Sequence, residues 1–322
     1  MTREHLVIII ASICNRRKLW KTTISITVVL AMFMTNVSHT IGAENRLEEK
    51  KLYIYSDREL SNFFKDIGYQ DLWYNDIRIS RNSDGTALRF LNESKGKILV
   101  ATCDGSVKAL DSPGYLAWLN DANQVKVWVT WTDNRSVAHY PNDISEKLPF
   151  SPEGGPDPSG KYFVKERLGS STAPLNESCY TSIYATERPD IPLAKVDICG
   201  VTKIFYKDNK VFLTGSQYLN GNWQEEEVRI FLERGNALEQ IDRVIVPSPV
   251  KSSMHFYAVD LNPWDDEMLF INAHDIPVRS IWYSFNLKTH QLNNVGKVPW
   301  FGGRAFYLQC DIIKKVVQAS SQ

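Results

Sequence analysis

The sequence contains no Gly-x-Ser-x-Gly, no His-Glu-x-x-His, no P-loop and no Gly-x-Gly-x-x-Gly. Their absence removes the usual signals for an α/β-hydrolase nucleophile, a zinc peptidase helix and a nucleotide cradle. No Cys-x-x-Cys pair or Cys/His cluster occurs, so structural zinc has no support. Strand-like runs do not alternate with long helical ones, which argues against a parallel α/β sheet. No apolar run approaches the ~20 residues that a membrane-spanning helix needs. Charge of one sign is also lacking, since 37 basic residues face 37 acidic ones. Residues 1–43 hold five of the bases and one of the acids, which leaves 32 against 36 and no basic run in the rest. A body without a basic stripe gives phosphate backbones nothing to bind, so nucleic acid is set aside as a partner. No cofactor and no metal is expected.

What is present begins with a targeting segment. Arg16-Arg17-Lys18-Leu19-Trp20-Lys21 precedes about eleven largely apolar residues, Ile24 to Met34. A basic patch before a short apolar stretch is the layout of a secretory signal. Ile41-Gly42-Ala43 ahead of Glu44 offers a cleavage point, so 1–43 reads as a signal peptide and 44–322 as one domain. The alternative is an uncleaved anchor through residues 22–37, which would be the only hold on a membrane. The expected location is the periplasm or the medium.

Four cysteines follow the segment: Cys103, Cys179, Cys199 and Cys310. An exported protein can oxidise them. Arg188-Pro189-Asp190 reads as a turn between two β-rich runs, with Cys179 and Cys199 equidistant from Pro189. A hairpin folded there sets these two cysteines opposite each other as a disulfide. Cys103 and Cys310 either join early and late parts of the chain or stay as thiols.

Strand patterns dominate the rest. Val125, Val127, Val129 and Trp131 alternate with Lys126, Trp128 and Thr130, the period of a half-buried strand. Similar runs start at Lys97, Tyr162, Val201, Lys210, Val228, Met268 and Ser280. Asp57 to Lys65 alone reads as a helix, with Leu60, Phe63 and Phe64 on one face. Polar turns recur before strands, and Gly85, Ala122, Gly160, Asn209 and Asp266 mark them at steps of 37, 38, 49 and 57 residues. A sixth marker is Gly302-Gly303. Four-stranded propeller blades repeat at about this interval.

Two stretches carry a family resemblance. Phe150-Ser151-Pro152 with Pro158-Ser159-Gly160-Lys161-Tyr162-Phe163-Val164 resembles the blade opening of TolB-like, WD-like propeller repeats. Val259 to Ile271 resembles another opening, and Ile281 to Leu292 resembles the hairpin that follows it. Trp264-Asp265 replaces the usual Asp-Gly, and Glu153-Gly154-Gly155-Pro156-Asp157 splits the third unit. The resemblance implies an all-β, six-bladed propeller, with five or seven blades as variants and a short N-terminal helix. It implies no activity, because such repeats serve scaffolds, receptors and enzymes alike. A β-sandwich or a pair of smaller β domains is the competing architecture.

Candidate chemistry is sparse. His139, His255, His274 and His290 are scattered, and His274-Asp275 is a lone loop dipeptide. Asp104, Asp133, Asp197 and Asp260 each adjoin a strand and are candidates for an acid pair around the axis, as a propeller glycosidase would use. Asp104-Gly105 and Asp133-Asn134 suit turns equally well. Trp131, Trp264 and Trp282 are candidate ligand platforms, with packing between blades as their other role. The reading is an exported cell-envelope binding or scaffold protein without a catalytic signature, whose partner is a protein or a carbohydrate. The alternative is an exported carbohydrate hydrolase.

N-terminal sequencing of the exported protein is expected to begin near Glu44. A chain that still carries residues 22–37 would establish the anchor instead.

Overall fold

The computed structural model describes residues 50–69, 77–92, 96–133, 135–148, 155–167, 179–219, 222–249, 256–274, 279–299 and 304–321. The targeting segment, Phe150 to Gly154, His255, Asp275 and the Gly302-Gly303 marker lie outside them.

Strand β1 (Lys51–Tyr55) and helix α1 (Asp57–Asp66) open the described chain. Four antiparallel strands follow in order: β2 (Ile77–Arg81), β3 (Ala87–Asn92), β4 (Lys97–Thr102) and β5 (Val107–Asp111). The second sheet is β6 (Leu116–Leu119), β7 (Val125–Thr132), β8 (Arg135–His139) and β9 (Ser145–Leu148). The third has three strands, β10 (Tyr162–Arg167), β11 (Tyr180–Ala185) and β12 (Arg188–Val196). The fourth is the largest, with β13 (Cys199–Lys207), β14 (Lys210–Leu219), β15 (Asn222–Arg234) and β16 (Ala237–Val246). The fifth is β17 (Phe256–Leu261), β18 (Glu267–His274), β19 (Arg279–Asn286) and β20 (Leu292–Pro299). Last come β21 (Arg304–Leu308), which pairs antiparallel with β1, and helix α2 (Ile312–Ser320).

These small antiparallel sheets form a ring. The chain is a β-propeller.

It has five blades, not the six expected. The sixth marker precedes β21, but among the described strands β21 pairs only with β1, and this two-stranded ribbon is not a blade. After β21 the chain turns helical instead of continuing as strand. Asp311 caps α2 by accepting the Lys314 N–H at 3.2 Å. Its β-branched residues would favour a strand. Burial of Ile312, Ile313 and Val316 on one face overrides that preference. The second helix is therefore a correction to the single helix expected. The first matches its reading: Ser56 and Glu59 form a capping box, and Leu60, Phe63 and Phe64 are buried.

Each seam uses alternate residues of its strands. Phe306 and Leu308 join Tyr55, both helices and the first blade, while Ala305 and Tyr307 turn to Leu269, Ile271 and Trp282 of the fifth. Within the first blade Leu88 and Phe90 face the helices, and Ala87 and Leu91 face the second blade. Both faces of a blade are therefore apolar, so no blade is complete without two neighbours.

Four of the five repeat markers fall at one structural position. Gly85, Ala122, Asn209 and Asp266 lie in turns between a blade's first two strands, and Gly160 lies in the turn just before β10. The turns share one device. Asn82 Oδ1 accepts the Ala87 N–H, Asn120 Oδ1 that of Gln124, and Asp157 Oδ1 those of Lys161 and Tyr162, at 2.7–2.9 Å. Gly85 and Gly160 hold φ near +75°, where a side chain is strained. The uneven steps reflect the long strands of the fourth blade, not a different fold.

Both cysteine pairs are at disulfide distance, Cys103–Cys310 and Cys179–Cys199, each with Cα atoms 5.9 Å apart. The second pair forms as expected, but the hairpin does not turn at Pro189. It turns at Thr186-Glu187, since Ala185 pairs with Arg188. Two irregularities on β12 then shift the register, so that Thr181 faces Val196 and the cysteines beyond come opposite. Proline is tolerated at such bulges because it has no ladder donor to lose. Cys103–Cys310 ties the first blade to the end of the ribbon.

Non-reducing peptide mapping should recover both links. Replacing Cys103 and Cys310 by serine is expected to lower unfolding stability by roughly 4–5 kcal/mol, and the shorter-loop pair by roughly 3, measured by denaturant titration.

Candidate functional site

Two places in the ring hold buried charge, and each contains one of the sequence candidates. The first lies at the turn end, where the first blade, the fifth blade and the ribbon meet. Arg81 closes β2, Asp260 sits near the end of β17, and both are buried. Arg81 Nε donates to both Asp260 oxygens at 2.9 Å, and Nη2 lies 2.7 Å from Oδ1. Nη1 donates to the carbonyls of Asn82 (2.7 Å) and Ser83 (2.8 Å), and Nη2 to that of Leu261. Asp260 further accepts the N–H groups of Leu261 (2.9 Å) and Tyr307 (3.0 Å). A carboxylate held by so many donors is a pin. It joins the first blade, the fifth blade and the ribbon.

The opening beside it is lined by Ser83, Pro158, Phe205, Tyr206, Lys207 and Pro263, together with Arg81 and Leu261. Its volume is about 10 Å³, room for about one water. Around it the turns clasp one another. Ser83 donates from N–H and hydroxyl to Asp121 at 2.8 and 2.6 Å. Arg89, buried in β3, donates to the carbonyls of Leu119, Asn120 and Pro158. Lys161 reaches Glu233 at 2.7 Å, and Lys207 the carbonyls of Asn262 and Asp265 at 3.1 and 2.6 Å.

The second place is the far end of the fourth blade. Glu227, buried on β15, accepts Arg229 Nε at 2.6 Å and Arg243 Nε and Nη2 at 2.8 and 3.0 Å. Arg229 Nη2 continues to Asp197 Oδ1 at 3.1 Å, and Gln217 donates to Oδ2. Asp197 and Arg243 reach solvent, with side chains 60% and 43% exposed, over a buried Glu227 and Arg229. Glu226, the next residue, turns to the opposite face. There Ser216 donates to Oε2 at 2.9 Å, and burial raises the carboxyl's pKa to about 8.

The four candidate acids are thus not gathered around one pocket. Asp104 is an exposed turn residue bonded to the Thr102 hydroxyl and the Ser106 N–H, which lower its pKa to about 2. Asp133 is exposed with φ +51°, in the turn between β7 and β8. Of the tryptophans, Trp131 is 64% exposed, Trp264 packs between the fifth blade and the ribbon, and Trp282 is 2% exposed in the same seam. Trp128, on the other face from Trp131, stacks on His139 at 5.1 Å. His290, with φ +57°, occupies the turn after Asn286.

Sequence reasoning missed Arg81, Arg89, Glu226, Glu227 and Arg229. One local signal was available for Arg89 and Arg229: a charge inside an otherwise apolar strand, as in Ala87-Leu88-Arg89-Phe90-Leu91 and Val228-Arg229-Ile230-Phe231-Leu232. Such a charge must find a partner in the core.

No family model and no curated protein sequence matches the chain. Among solved structures it is similar to TolB from Acinetobacter baumannii, at 13% identity over 69% of this chain and 52% of that one, TM-score 0.37. It is also similar to an oligogalacturonate lyase in complex with manganese, at 9% identity over 70% and 73%, TM-score 0.36. A third is the acylaminoacyl peptidase of Pyrococcus horikoshii, at 9% identity over 70% and 40%, TM-score 0.36. The chain spans about half the length of the TolB chain.

Asp260→Ala leaves the Arg81 charge buried without its partner and is expected to cost roughly 3–5 kcal/mol. Combining it with Arg81→Met should recover part of that loss. Urea unfolding of the single and double variants measures the coupling.

Proposed function

We propose that this chain is an exported binding or scaffold protein of the cell envelope, with the propeller end opposite the turns as its recognition surface. The observation that carries this reading is the Asp197–Arg229–Glu227–Arg243 network. It presents an acid and a base at the surface, and each is fixed from below by a buried partner. Groups held in place in advance recognise a polar partner at little entropic cost. Rotating side chains would have to be ordered first.

Three further facts support binding over turnover. Asp260 has its oxygens engaged by Arg81 and by the Leu261 and Tyr307 N–H groups, as a structural pin does. The cleft beside the pin has room for about one water, far less than a sugar ring. Asp197 is ion-paired and solvated, not held in the apolar setting that makes a carboxyl a general acid. Export draws its support from the two disulfides, which suit an oxidising compartment. Among the described residues no helix is long and apolar enough to cross a membrane. The partner class is a protein or a carbohydrate with charges complementary to Asp197 and Arg243.

A photo-crosslinking side chain at position 243 of the exported protein should give one discrete adduct with an envelope protein or glycan. The same group at position 104 should give none. Incubation with a polysaccharide panel should release no reducing sugar. Release that Asp197→Asn abolishes would overturn the binding reading in favour of hydrolysis.

A further inference from the structure

Glu226 is buried, and no described residue supplies it with a compensating cation. It shares a face of β15 with Val228 and Ile230, towards β17 and β18 of the fifth blade. Only Oε2 has a hydrogen-bond partner of normal geometry, the Ser216 hydroxyl, and Oε1 has none among the described residues. On the same face of β14, the Thr214 hydroxyl is also fully buried and without a partner there. Among the described residues the surroundings bring no positive charge. Val246 lies opposite on β16, and β17 contributes the Ala258 N–H. The nearest charged group is Glu227, which repels it, and the two arginines that neutralise Glu227 lie on the other face.

An unpaired carboxylate in such a place costs several kcal/mol, so the group is kept as the neutral acid. We propose that Glu226 is a proton-operated latch on the seam between the fourth and fifth blades. Protonated, it lets the seam close; ionised, it draws water in and opens it. Phe256 and Phe270, stacked at 5.1 Å inside that seam, are the surface an opening would uncover.

The direction follows from linkage. In the open seam the carboxyl titrates near its ordinary 4.5, and in the closed seam near 8. Between those values opening releases a proton, so closure is favoured in full below about 4.5 and weakens as pH rises towards 8. The opening equilibrium should grow by about tenfold per pH unit across that window and level off above it.

Hydrogen exchange on the full exported chain, corrected for intrinsic rates, reads this directly. In the wild type, protection of β14 and β17 amides should fall by about tenfold per unit between pH 5 and 8. In Glu226→Gln it should not change with pH, and at pH 7 it should exceed the wild type. Equal slopes in the two proteins, or a flat wild type, would overturn the latch. So would calcium or sodium that raises wild-type protection at pH 7 and leaves Glu226→Gln unmoved, since that marks a metal-bound carboxylate. Should Glu226→Gln not fold, Ser216→Ala removes a donor that favours the charged form. The upper edge of the window must then move to higher pH, and an unmoved edge counts against the latch.

Discussion

The ring depends on one contact made across 179 residues, Arg81 to Asp260. Every blade is apolar on both faces, so stability comes from the seams, where a buried large side chain contributes about 1.5–3 kcal/mol. An ion pair in that interior contributes little net energy, because the cost of removing two charges from water roughly cancels their attraction. Its value is selective. An apolar seam tolerates sliding, whereas a bidentate Arg–Asp contact with further bonds to Asn82, Ser83, Leu261 and Tyr307 accepts one register only. The pin fixes where the fifth blade and the ribbon meet the first, and Cys103–Cys310 locks the same junction covalently.

The ribbon explains how five blades close a ring. Its two strands present opposite faces to the fifth blade and to the helix side, so it acts as an adaptor. Both helices fill the space beyond it against Leu88, Phe90 and Leu99 of the first blade. Stopping the sheet at two strands and capping it with amphipathic helices also leaves no long flat edge at the join, which is where sheets otherwise aggregate.

Turn chemistry is local, and so the propeller could be read before the structure was seen. Asn82, Asn120, Asp157 and Asn262 each bond their own backbone within a few residues, which leaves a repeating signature. Blade count was less legible. The sixth marker does precede a strand, but the chain turns helical directly after it, where Asp311 caps α2. The Cys179–Cys199 pairing was found with a misplaced turn, because bulges beside Pro189 and Pro192 restore a symmetry that the turn itself lacks. The sites resisted more. An acid next to a strand is equally a turn residue, as Asp104 and Asp133 are, or half of an ion pair whose other half lies elsewhere in the chain, as Asp197 and Asp260 are.

The two ends of the ring treat buried charge differently, and that difference is what the proposed recognition face rests on. At the turn end Arg81, Arg89, Asp157 and Asp260 have their groups engaged, Asp157 by the N–H groups of Ser159, Lys161 and Tyr162 and the Ser159 hydroxyl. Packing alone accounts for such an arrangement. At the other end, among the described residues, Glu226 has no cation, and Glu226 Oε1 and the Thr214 hydroxyl have no hydrogen-bond partner. A fold selected for stability alone would replace that acid with glutamine or leucine and gain from the change. Perturbed, incompletely paired groups concentrate where a protein acts. The exposed Asp197–Arg243 pair belongs to the same blade and the same end. The recognition face proposed for this propeller is the one opposite its turns, and the pinned end holds that face in shape.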